Sequence, residues 1–159
     1  MSSVVRLGDQ VVVFRVGRCT YATAIGNVRE IEPAAEVTWV PDPPPGCEGV
    51  INLRGGLVPV FNLRGRLGLP AAEARLSDHF LFVRGEGRLV AFRVDSVSEV
   101  AIVSEVVSPP SQQVTGRPDL LEGAVKVAEE LVPVIDLARL VDPAEYRRLE
   151  EQSPEVAQE

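Results

Sequence analysis

Ser77-Asp78-His79 sets the residue types of a hydrolytic relay side by side. Neighbours along a strand point to opposite faces, so these three could not pass a proton without partners from elsewhere in the chain. His79 is the only histidine, which excludes an HExxH pair, a two-histidine metal site and a Cys/His cluster. Cys19 and Cys47 are too few and too widely spaced for a disulfide framework or a zinc site, and read as buried thiols. Gly55-Gly56 and Gly85-Glu86-Gly87 read as hairpin turns. Neither opens a helix after a strand, and the second lacks the third glycine and the lysine of a phosphate loop. Asp95, Glu99 and Glu105 offer carboxylates, which read as solvated acids on strand surfaces. No catalytic residue, metal or cofactor is expected, and the chain reads as a binder rather than an enzyme.

Composition narrows what it could bind. The 159 residues carry 23 acidic and 16 basic side chains, a net charge of −7. That balance opposes phosphate-backbone binding, which works through counterion displacement by lysine and arginine. Five Phe, two Tyr and one Trp are too few for the aromatic and basic surface on which single strands stack. With 45% apolar and 25% charged residues, the chain has the make-up of an ordinary globular domain. No apolar stretch approaches the 18 or so residues needed to span a bilayer, and MSSVVRLGDQ lacks the pattern of a secretory signal, so a cytoplasmic protein is expected.

The elements available to position a site are strands. Val11 to Val16, Cys19 to Ile25 and Val28 to Ile31 are short β-rich runs separated by glycine turns. Pro41 to Gly46 is an extended loop, because successive prolines exclude a helix or an interior strand. Val50 to Leu53 and Leu57 to Phe61 follow as a hairpin, and Asn62 caps a helical turn through Leu67. Phe80 to Val83, Arg88 to Val94 and Val97 to Val103 are further strands. A second extended loop at Pro109-Pro110 leads to Ala124 to Val127 and Leu131 to Ile135. Asp142-Pro143-Ala144-Glu145 then starts a helix over 143 to 152, with a frayed tail beyond it.

The chain repeats itself. LVPVFNL at 57 to 63 returns as LVPVIDL at 131 to 137, with Gly49 and Gly123 at the same offset of 74 residues. Phe14-Arg15-Val16 is matched with Phe92-Arg93-Val94, and Val28-Arg29-Glu30-Ile31 with Val97-Ser98-Glu99-Val100. One period of this length indicates two related modules rather than a solenoid. Modules of about 70 residues bury too little surface to stand alone, so they are expected to share a core. The copies differ at Arg54, which has Ala128 opposite it, and Arg54 is expected to fork onto a carboxylate, with Glu30 as the candidate.

These residues carry a family resemblance. Val28-Arg29-Glu30-Ile31, the proline-rich approach to Gly49-Val50-Ile51-Asn52-Leu53-Arg54-Gly55, Val58-Pro59-Val60-Phe61-Asn62-Leu63-Arg64 and Val94-Asp95-Ser96-Val97-Ser98-Glu99-Val100 together resemble the CheW-like domain. The resemblance covers residues 9–142, with 143–159 as the C-terminal helix and tail. It implies an all-β fold of two SH3-like five-stranded barrels sharing a core. It also implies a non-catalytic adaptor that joins a CheA-type histidine kinase to the cytoplasmic tips of methyl-accepting chemoreceptors at membrane-associated arrays. Val28, Glu30, Gly49, Arg54, Val97 and Val100 are the positions it marks as partner contacts or their immediate supports. Glu48 and the run Pro43-Pro44-Pro45 depart from the family pattern and point to a partner preference of its own, such as a motility or developmental pathway. A barrel that responds to a small molecule between its modules is the competing reading.

Overall fold

Strands built from consecutive apolar residues bury both faces, and β1 (Gln10–Val16) shows how the chain uses this. Val11 and Val13 face one core, whereas Val12, Phe14 and Val16 face another. In the computed structural model, which describes residues 5–85, 87–107 and 121–152, that double burial organises the whole molecule. The remaining strands are β2 (Cys19–Ala24), β3 (Val28–Pro33), β4 (Cys47–Leu53), β5 (Gly56–Asn62), β6 (His79–Gly85), β7 (Arg88–Val94), β8 (Ser96–Ile102), β9 (Glu105–Val107), β10 (Leu121–Val127) and β11 (Glu130–Ile135). They form a six-stranded sheet in the order β8-β1-β2-β11-β10-β9 and a five-stranded sheet in the order β3-β6-β7-β5-β4.

Each sheet curls around its own core. Val11, Val13, Ala22, Val125, Val132 and Val134 fill the six-stranded one; Ile51, Val58, Val60, Phe80, Phe82 and Leu89 fill the five-stranded one. The outer faces then meet over a third and largest core that includes Phe14, Tyr21, Leu81, Phe92 and Ile135. Two helices close this shared core. Asn62 accepts the Arg64 N–H at 3.0 Å and caps α1 (Leu63–Leu67), and Asp142 accepts the Ala144 N–H at 2.9 Å ahead of α2 (Pro143–Gln152). α2 buries Tyr146 and Leu149 in the shared core, so it packs as part of the same folded unit.

Topology corrects the sequence reading of the repeat. Both sheets are the same arrangement, β3-β6-β7-β5-β4 matching β8-β1-β2-β11-β10, with a parallel pair in the middle: Val60 beside Ala91 in one and Val134 beside Ala22 in the other. β1 therefore corresponds to β6 and β2 to β7, and Phe14-Arg15-Val16 is not the counterpart of Phe92-Arg93-Val94. The true match is Arg6-Leu7-Gly8-Asp9 with Arg75-Leu76-Ser77-Asp78, an offset of 69 residues, Arg6 to Arg75, shared by Val28 and Val97. In each copy the aspartate accepts the arginine N–H at 2.9 Å and so bends the chain into the following strand. The first two strands of each repeat join the sheet completed by the last strands of the other, and the modules are interlaced.

The six-stranded count also differs from the five expected, because Glu105–Val107 adds β9 beside β10. Its partner in the other sheet is the single bridge Thr38 to Val50. Pro59 and Pro133 sit in β5 and β11 immediately before the parallel pairing begins at Val60 and Val134, where a missing N–H interrupts no second ladder. The Pro109-Pro110 loop, Glu86 and the tail beyond residue 152 lie outside the described residues.

Candidate functional site

The two edge strands β3 and β8 carry the same motif. Val28 stands opposite Val83 on β6, and Val97 opposite Phe14 on β1; both valines are half-buried against the shared core, one from each sheet. Val100 lies opposite Val12 and is 47% exposed, with Ile102 next to it on the same face. Each edge strand has a bulge where it meets its neighbour, at Val28 to Glu30 in β3 and at Val97 to Glu99 in β8, opposite Phe14 and Val13.

Arg54 and Glu30 come together as expected. Nη1 of Arg54 donates to Oε1 of Glu30 at 2.8 Å and Nη2 to Oε2 at 2.9 Å, a two-pronged fork. Arg54 occupies the β4–β5 turn at φ 52°, followed by Gly55 at 89°, a pair of positive angles that suits a tight hairpin of the primed kind. The turn thus falls at Arg54-Gly55, and Gly56 already belongs to β5. Because β3 and β4 are the opposite ends of the five-stranded sheet, this fork joins the two ends and closes the barrel. The other sheet has Ala128 and Glu129 at positive φ in the matching turn and no guanidinium there. The Arg54 hydrogen bonds hold the Glu30 carboxyl below its ordinary range, and the hydrogen bond to Glu30 raises that of Glu32, two residues along the strand.

Gly49 makes no surface. It is buried at the β4 bulge with φ 137°, and a Cβ there would come within 2.1 Å of the Thr38 carbonyl oxygen.

The sequence reading missed two charged clusters. Arg93, only 7% exposed, donates from Nε to both Glu48 oxygens at 3.0 and 2.9 Å and from Nη1 to Asp78 Oδ2 at 3.1 Å, with its guanidinium over the Phe80 ring. Burial works against the Arg93 charge, and Glu48 and Asp78 more than offset it, so its pKa rises. Glu48 is therefore taken up by an internal contact. Asp78 likewise turns to Arg93 and the Arg75 N–H, and with Ser77 it lies in the turn before β6 rather than on a strand. Asp95 is the second correction: it is no solvated acid, since it accepts from Gly17 N at 3.0 Å and Arg64 Nη2 at 2.8 Å. Glu99 is exposed, and Glu105 lies 3.9 Å from Lys126 Nζ. Cys19 and Cys47 are half-buried thiols beside the shared core, and burial pushes the Cys47 thiol up. Among the described residues, no group of three or more His, Cys, Asp or Glu is placed to hold a metal ion.

Known proteins share this arrangement. The CheW-like domain family model matches residues 10–145. A Bacillus subtilis relative called chemotaxis protein CheW is 32% identical over 144 residues, covering 89% of this chain and 92% of its own. One of the same name from Rhizobium meliloti is 30% identical over 142 residues, covering 88% and 91%. The crystal structure of the scaffolding protein TtCheW from Thermoanaerobacter tengcongensis superposes with a TM-score of 0.75 at 29% identity, covering 84% of this chain and 92% of that one. Sequence and superposition agree along nearly the whole chain, which belongs to the CheW-like domain family.

Proposed function

We propose that the chain is a non-catalytic adaptor of bacterial chemosensory signalling, coupling chemoreceptors to a CheA-type histidine kinase. The observation that carries this reading is the family match across residues 10–145, with relatives named for chemotaxis and a solved neighbour titled a scaffolding protein. Its partners are the regulatory CheW-like domain of the kinase and the cytoplasmic tip of the receptors, and it reaches the membrane-associated array through those receptors. The contacts are drawn from edge strands β3 and β8 and the β4–β5 turn: Val28 and the Glu30–Arg54 fork on one sheet, Val97 and Val100 on the other, with Gly49 as the buried bulge of β4, the strand that leads to Arg54.

The motif is repeated whereas the fork is not, so the two edges offer different chemistry to two different partners. A charged fork favours a polar contact of defined direction, and the Val100 face favours an apolar one. The test is titration calorimetry of the chain against the kinase domain and, separately, a receptor cytoplasmic fragment. Arg54→Ala and Val100→Asn are each expected to fold and to weaken binding to at least one of the two. Unchanged affinity of both variants for both partners would sink the site.

A further inference from the structure

We infer that Arg64 and Asp95 are a positioning pair: they pin the point where the chain crosses from one sheet to the other, and so set where edge strand β8 lies. This goes deeper into the proposed function, and rests on it for what β8 binds. β7 belongs to the five-stranded sheet and β8 to the six-stranded one, and Asp95 is the one residue between them. Its N–H donates to the Arg15 carbonyl at 2.9 Å, and its Oδ2 takes the Gly17 N–H at 3.0 Å, both from the β1–β2 hairpin of the six-stranded sheet. The same oxygen takes Nη2 of Arg64 at 2.8 Å, from α1 at the end of β5 in the five-stranded sheet. Nη1 of Arg64 in turn donates to the Pro70 carbonyl at 3.2 Å. One carboxylate thus ties both sheets at the crossing.

The surroundings fit a built joint. Arg64 and Asp95 side chains are 13% and 27% exposed, so solvent and salt screen the pair less than a surface pair. Gly17 is at φ 64°, and a Cβ on it would lie 3.4 Å from Arg64 Nη1, so the hairpin turn lies beside the guanidinium. The internal symmetry supplies a comparison within the molecule. At the other crossing, from β2 to β3, Gly26 stands where Asp95 does and Ala138 where Arg64 does. That crossing is held by the Asn27 amide, which donates to Asp136 at 3.2 Å and Thr23 at 3.1 Å. Among the described residues, of the two crossings only β7–β8 carries an ion pair, and two residues beyond it begins the Val97 to Val100 stretch. β8 has a single hydrogen-bonded neighbour, β1. The apolar shared core brings the sheets together without direction; the ion pair supplies direction at the start of an edge strand.

The experiment is measurement of backbone amide residual dipolar couplings in the full chain, which needs no partner. In the wild type, one alignment tensor is expected to fit β5, β6, β7 and β8 together. In Asp95→Ala and Arg64→Ala, the β5 to β7 couplings still fit that tensor while those of Ser96 to Ile102 depart from it. Affinity for the kinase domain or receptor fragment falls about tenfold, within the usual range of coupling between sites. Arg64→Gln, which leaves Asp95 and its Gly17 bond in place, is the third variant should either alanine variant not fold. A common tensor retained in the folded variants would overturn the joint. A departure of the β8 couplings with unaltered affinity would support the joint and remove Val97 and Val100 from the partner surface.

Discussion

Gly49 and Gly123 form a matched pair in which the structure separates two costs of replacing glycine. Both lie at a bulge at the start of the last hairpin of their sheet, with φ of 137° and 141°. Alanine at either position must adopt a backbone conformation that L side chains avoid, at about 1 to 3 kcal/mol. Stiffening of the unfolded chain by alanine acts alike at both. The surroundings differ: a Cβ on Gly123 would lie 3.7 Å from the Val107 carbonyl oxygen, an ordinary contact, whereas one on Gly49 would lie 2.1 Å from the Thr38 oxygen and 2.8 Å from its carbon. The Thr38 segment must move, and Thr38 is held by a reciprocal pair of hydrogen bonds to Val50, both 2.8 Å. Losing two such bonds costs about 1 to 3 kcal/mol in addition. Gly49→Ala is therefore expected to destabilise the chain by that much more than Gly123→Ala, a gap of about 2 to 4 °C in melting temperature per kcal/mol. Urea denaturation of the two variants with unchanged m-values measures it. Equal losses would refute the steric argument, and with it the placement of Gly49 as a packed support. Partner affinity adds a second reading: folded Gly49→Ala with full affinity would show that the bulge does not shape the site.

Three further outcomes follow from named contacts. Arg93→Met should cost about 3 to 5 kcal/mol in chemical denaturation, since it leaves Glu48 and Asp78 facing each other without their shared cation, and adding Glu48→Gln should restore part of that loss. Leu149→Ala should cost about 2 to 5 kcal/mol, because the side chain is fully buried in the shared core; a loss below about 1 kcal/mol would mean that α2 does not seal it. Glu30 has a depressed folded-state pKa, so the stability it supplies is present above its ordinary value of 4.5 and is lost as pH falls through the folded value; Glu32, raised, acts in the opposite sense. Glu30→Gln should therefore flatten the acid limb of stability against pH, and a limb that keeps its wild-type slope would contradict the closing role of the fork.

The strands were legible because their pattern is carried by the residues themselves: runs such as FLFV and LVAF between glycine turns admit few other readings. The fork was legible for a related reason, since an arginine at a hairpin tip and a glutamate set between Val28 and Ile31 each call for a partner of opposite charge. The order of the repeat was harder. Phe-Arg-Val occurs twice, at the ends of β1 and β7, and it gave a false match, whereas Arg6-Leu7-Gly8-Asp9 and Arg75-Leu76-Ser77-Asp78 share the offset of Val28 and Val97 and mark the true one. A repeat is tested by one offset holding across several elements, more than by the likeness of any single word. β9 escaped notice because three half-exposed residues carry no period. The Arg93 cluster escaped because its partners are 45 and 15 residues away along the chain, and only the pairing of β7 with β6 and, through β5, with β4 brings them together.

Interlacing bears on what an adaptor of this family must do. Two barrels strung in series would bury only their own interiors, and their relative placement would depend on a linker. Here each sheet takes its first strands from one repeat and its last from the other, so the chain crosses between sheets at β2 to β3 and again at β7 to β8. Neither sheet can be completed by one repeat alone, and separating them would also open the largest of the three cores. Independent unfolding of one barrel is thereby suppressed, and the two motif-bearing edges hold a fixed geometry with respect to each other. A protein that joins two partners by contact alone needs that property, because any play between its faces would be lost from the precision with which one partner senses the other. Symmetry supplies the rigid frame, and the departures from it, the Glu30–Arg54 fork on one sheet and the Arg64–Asp95 joint at one crossing, are what give the two faces separate identities.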